Sequence, residues 1–111
     1  QLDKIKKILK LKTKNFQWYE NNFKKFKCIK ILREQKYAKS NYWLIIGEFN
    51  NKSQRNYIFK SLRDRGFGVR LGWRPLHTLK IFKNFPRDNL KNTNKIFNHT
   101  ITFPSSSKIN L

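Results

Sequence analysis

The chain is 111 residues long, with 26 Lys or Arg against six Asp or Glu and a formal net charge of +20. That length suits one domain with a modest core, and that charge disfavours a compact state unless a polyanionic partner offsets it. A single cysteine, Cys28, excludes an internal disulfide framework and a multi-cysteine zinc site, and no apolar run approaches the roughly 18 residues of a membrane-spanning helix.

Residues 2–14, LDKIKKILKLKTK, set Leu2, Ile5 and Leu9 on one helical face with Ile8 beside them and lysines opposite. Such a basic amphipathic helix can lie on a membrane surface, along an RNA groove or on a neighbouring protein. Residues 17–36 read as a second helix, with Phe23, Phe26, Cys28, Ile31 and Leu32 on its buried side. At Asn41 the pattern changes. YWLIIGEF, 42–49, is an aromatic and β-branched run expected to form a buried strand. Ser53 is the expected N-cap of the next helix, whose inward face carries Ile58 and Leu62 and whose arginines project elsewhere. Gly66 stands where a helix end needs a left-handed residue. FGVRLGW, 67–73, reads as a second strand, so strand, helix and strand form a βαβ unit. After Pro75, residues 76–82 read as a short helix that Pro86 stops. Residues 87–95 read as an Asn/Lys-rich loop, and FNHTITF, 97–103, as a third strand. The expected fold is therefore α/β: a small three-stranded sheet with a βαβ unit, packed helices and a basic N-terminal helical extension. The divisions are a basic helical region at 1–40, an α/β core at 41–103 and a polar tail at 104–111.

The search for catalytic groups is mostly negative. The six carboxylates are scattered, His77 and His99 have no ligand spacing with Cys28, and Gly66, Gly68 and Gly72 do not build a phosphate loop. No metal, no cofactor and no small-molecule substrate are expected, and the chain is expected not to be an enzyme. Asn98-His99-Thr100 fits the glycosylation sequon, a short and common pattern. The basic residues are more informative. Four of the seven arginines, Arg63, Arg65, Arg70 and Arg74, fall within twelve residues. Arg bridges phosphates and its plane stacks on bases, and Trp73 adds a stacking surface. With Lys80 and Lys83 these form a candidate RNA-binding set. Most of the 17 aromatic rings are expected in the core, though rings interleaved with cations also suit stacked bases. The skew towards Lys, Asn, Ile and Phe matches A/T-rich codons, as in organelle genomes.

The run AKSNYWLIIGEFNNKSQRNYIFKSLRDRGFGVRLGWRPLHTLKIF resembles the stalk-base protein of the large ribosomal subunit, which anchors the acidic stalk dimers. Leu62-Arg63 and Gly68-Val69 stand where that family links its crossover helix to the second strand. Arg74-Pro75 stands at its basic turn. The resemblance implies a structural rRNA-binding protein of an organellar ribosome, in the mitochondrial matrix. Its partners would be ribosomal RNA and neighbouring ribosomal proteins, with a membrane partner unlikely. The alternative is a basic accessory subunit of a mitochondrial membrane complex, docked by the N-terminal helix.

Overall fold

A computed structural model describes residues 2–109. A 3-10 turn at Leu2–Lys4 leads into helix α1, Ile5–Phe23, followed by strands β1, Ile29–Ile31, and β2, Ile45–Phe49. Helix α2, Lys52–Asp64, then leads to strand β3, Arg70–Leu71. Two further 3-10 turns, Leu76–Thr78 and Lys80–Phe82, precede helix α3, Lys91–His99, which runs straight into strand β4, Thr100–Phe103.

The sheet has four strands, all neighbours antiparallel, in the order β1-β2-β4-β3. This corrects the expected three-stranded sheet. IKI at 29–31, assigned by its helical spacing to a helix over 17–36, pairs with β2 instead, Ile29 opposite Phe49 and Ile31 opposite Gly47. The βαβ unit is also corrected. β2 and β3 flank α2 in sequence and both run antiparallel to β4, but β4 lies between them, so they do not pair. Strand, helix and strand were therefore readable, while the intervening strand depended on a pairing more than half the chain away.

Period-2 alternation sorts the sheet into two faces. Ile29, Ile31, Ile45, Phe49, Ile101 and Phe103 are buried on one face, where Phe16 and Tyr19 of α1 close the core. Ile58, Phe59 and Leu62 of α2 pack against that cluster while remaining half-buried. Ile46, expected in the core with Ile45, lies on the other face and is only half-buried. Gly47 is needed on the packed face: a Cβ there would come within 2.6 Å of a Phe103 ring carbon and 2.7 Å of Ile29 Cδ1.

No break separates residues 2–14 from 17–23. Asn15, midway along α1, is buried and its amide donates to the Ser106 carbonyl at 2.8 Å, which fastens the helix to the C-terminal segment. The stripe of Leu2, Ile5 and Leu9 faces outward, and α1 packs instead through Phe16, Tyr19 and Phe23. Asn51, not Ser53, caps α2, accepting from the Gln54 amide at 2.9 Å. Arg55, expected to project away, is buried: its Nε donates to the Asn98 carbonyl at 2.9 Å near the C-terminus of α3, where a cation is favoured. Burial pulls its pKa down. Residues 76–82 form two 3-10 turns in place of one helix, and part of the expected 87–95 loop belongs to α3. Thr100 of the sequon is buried and its hydroxyl donates to the Ile96 carbonyl at 2.8 Å.

The end of α2 follows its sequence closely. Gly66 has φ +82, its amide donates to the Arg63 carbonyl at 2.9 Å, and the Phe67 amide donates to the Leu62 carbonyl at 3.0 Å. These are the two bonds of a Schellman cap. A Cβ at Gly66 would meet nothing within 4 Å, so substitution there acts through the backbone alone. Gly66→Val is expected to cost about 1–2 kcal/mol through left-handed strain, read as a lower urea midpoint. An unchanged midpoint would show that the cap contributes nothing.

Candidate functional site

The basic segment starts where α2 stops. Val69 is almost fully buried and anchors the chain to the core. Arg70 then pairs with Thr102 and Leu71 with Ile101. From Gly72 to Leu90 the backbone is irregular apart from the two 3-10 turns. Pro75 is buried, and its carbonyl accepts from the Thr78 amide at 3.0 Å and the Thr78 hydroxyl at 2.8 Å, which fixes the first turn. The Phe82 and Phe85 rings meet edge to face with centroids 5.8 Å apart. Together Leu76, His77, Phe82, Phe85, Pro86, Arg87, Leu90 and Thr93 enclose a cavity of about 360 Å³.

All seven residues singled out from sequence, Arg63, Arg65, Arg70, Trp73, Arg74, Lys80 and Lys83, are exposed. Arg63 lies 5.9 Å over the Phe59 ring, and Trp73 is 78 % exposed. The structure sets them along two stretches, the end of α2 and the 70–83 segment. Sequence reasoning missed the cavity. His77 had been read as a surface residue and Arg87 not singled out, yet both line it. The available signal was the pair of prolines, Pro75 and Pro86, bracketing an apolar and aromatic run.

Two further hollows are present. An apolar groove of about 370 Å³ lies among Trp18, Phe23, Phe26, Cys28, Leu62 and Phe67, between α1, α2 and the packed face of the sheet. A more polar hollow of about 560 Å³ lies along α1 and β1 and contains Glu20, Lys24, Lys30, Arg33 and Glu34. Its charges are already engaged. Arg33 grips Glu20 with two nitrogens, Nη2 donating to Oε2 at 2.5 Å, and this holds the Glu20 carboxyl below its ordinary range. The Tyr42 hydroxyl donates to Glu34 at 2.5 Å, lowering the pKa of Glu34. Burial first, and then that hydrogen bond, push Tyr42 up to about 12. Elsewhere Glu48 pairs with Lys95 at 3.8 Å. Among the described residues no group of three or more His, Cys, Asp or Glu side chains could hold a metal ion, and no helix is long and apolar enough to cross a membrane.

The profile of the DegT/DnrJ/EryC1/StrS aminotransferase family matches residues 1–111. Among solved structures, Helicobacter pylori PseC, an aminotransferase involved in the biosynthesis of pseudoaminic acid, is similar over 100% of this chain and 31% of its own, with 20% identity and a TM-score of 0.87. The sugar aminotransferase Spr1654 of Streptococcus pneumoniae, in its PLP form, is similar over 99% of this chain and 29% of its own, with 25% identity and a TM-score of 0.82. DesI, solved in the presence of its TDP-sugar product, is similar over 98% of this chain and 29% of its own, with 17% identity and a TM-score of 0.87. No curated protein sequence matches. The chain spans less than a third of the length of these solved relatives.

These findings overturn the ribosomal reading. The stalk-base resemblance rested on short passages, and the match to an enzyme family runs the whole length. With it fall the rRNA-scaffolding function, the accessory membrane-complex subunit, the expectation that the chain is no enzyme, and the assignment of rRNA and ribosomal proteins as partners in place of any small molecule. The chain belongs to the DegT/DnrJ/EryC1/StrS aminotransferase family.

Proposed function

We propose that this chain is a portion of a PLP-dependent sugar aminotransferase and that its share of the work is to hold the sugar substrate. The full-length family match carries this reading. It is supported by the PLP and PMP forms of the Streptococcus pneumoniae relative and by the TDP-sugar product of DesI.

The described residues do not themselves fit PLP. A PLP site needs a lysine amine and a charged partner for the ring nitrogen. Lys24 and Lys30 share a hollow with Glu20 and Glu34, but both carboxylates are occupied by Arg33 and Tyr42. No step through the cofactor is therefore drawn from these side chains. What they offer is cation-rich, partly apolar surface on the 70–93 segment, suited to an anionic, ring-bearing small molecule.

The test uses the polypeptide that carries these 111 residues, supplied with PLP, an amino-acid donor and a keto-sugar nucleotide. Mass spectrometry is expected to show the sugar carbonyl oxygen exchanged for an amine and the donor converted to its keto acid. A sugar that keeps its carbonyl under these conditions would overturn the reading.

A further inference from the structure

We infer that the cavity between the two 3-10 turns and α3 holds the phosphate-bearing end of the sugar substrate. Arg87 and His77 grip the phosphates, and Phe82 and Phe85 form the wall for the attached ring. This rests on the sugar-aminotransferase reading and extends it to particular residues.

Three observations carry the assignment. First, the cavity, about 360 Å³, has a divided chemistry: phenyl, leucine and proline surface makes up most of the wall, and its two basic side chains are His77 and Arg87. A ligand with a flat ring and an anionic end satisfies both parts, because the ring is desolvated against carbon while guanidinium and imidazole N–H groups meet oxyanions. Second, no acid lines the cavity. The neighbouring Asp88 is turned to its own backbone, its carboxylate accepting from the Asn89 amide at 2.6 Å. Among the described residues the two ion pairs, Arg33–Glu20 and Lys95–Glu48, do not involve Arg87. Its charge is thus available to a ligand, and Lys80 and Lys83 on the second 3-10 turn add to the positive field. Third, the walls are held in place before any ligand arrives. Thr78 ties the first turn to the Pro75 carbonyl through two hydrogen bonds, and the Phe82–Phe85 pair braces the second. A wall already fixed loses little freedom on binding.

The experiment is calorimetric titration with thymidine diphosphate, with inorganic pyrophosphate and thymidine as comparators. Wild-type protein is expected to bind thymidine diphosphate more tightly than either comparator. Arg87→Gln is expected to weaken it about tenfold or more, the loss of one charge-assisted contact. Phe85→Ala should weaken thymidine diphosphate while leaving pyrophosphate unchanged. Arg65→Gln, at the far end of α2, serves as the charge control and should have no comparable effect. Both arginines are exposed, and circular dichroism is expected to show both variants folded; Phe85→Leu repeats the ring test if the alanine variant disturbs the turn. Equal losses in Arg65→Gln and Arg87→Gln would mean diffuse attraction of any polyanion and would overturn the site. So would equal affinity for pyrophosphate and thymidine diphosphate. A polypeptide that aminates keto sugar but shows no thymidine diphosphate binding sinks this inference and leaves the enzymatic reading standing. One that binds as expected without amination sinks the enzymatic reading alone.

Discussion

Phe16→Ala is expected to destabilise the protein by about 3–5 kcal/mol, the cost of removing a buried aromatic ring. Phe16 is 2 % exposed and stacks on Tyr42 with centroids 4.1 Å apart and planes 14° from parallel. The Arg33 guanidinium lies 5.7 Å from the same ring. One side chain thus joins α1 to the segment entering β2, where Tyr42 has φ +48, a conformation that non-glycine residues adopt only when their surroundings enforce it. Removing the ring takes away both the packing and the brace. Domains of this size hold about 5–15 kcal/mol in total, so the urea midpoint should fall sharply. A loss under about 1 kcal/mol would show that α1 is held by other contacts.

Ile101→Ala should be nearly as damaging, at about 2–5 kcal/mol. Ile101 has no exposed surface and sits opposite Gly47 on one side and Leu71 on the other. Its neighbours Thr100 and Thr102 point to the opposite face, so neither can swing in to fill the space. Amide exchange at β2 and β4 should accelerate together in this variant. Faster exchange at β3 alone would mean that Ile101 stabilises only the edge.

Where local chemistry decides the structure, the sequence was legible. Gly66 marked the end of α2, Asn51 and Ser53 bracketed its start within two residues, and the β-branched run at 42–49 contained β2. β1 was hidden because three residues in a lysine-rich stretch carry no period of their own; β2 supplies their partners. α3 was hidden because KNTNKIFNH reads as polar loop until Ile96 and Phe97 are seen as one face. At the site, exposure of the arginines was predictable from charge. The cavity was not, because it exists only once Pro75 and Pro86 have folded the intervening chain back on itself. The mistaken family has a physical cause as well. Leu62-Arg63, then Gly66, then Gly68-Val69 is what any helix closed by a Schellman cap and leading to a buried strand tends to show. Such a passage reports a helix end, not an ancestry. Charge misled in the same way, since +20 calls for an anion without specifying a large one.

The strand order carries a consequence for synthesis. Because β4 lies between β2 and β3, the last strand to be translated occupies an interior place in the sheet. A nascent chain halted before Thr100 has β1 and β2 able to pair, but β3 has no neighbour at all, and the inner edge of β2 is open. Ile45 and Val69 would then be left uncovered beside unpaired backbone, an arrangement prone to joining other chains. Folding of the sheet therefore waits for its final strand, and incomplete translation products should be targets for chaperones and proteases, not partly working domains.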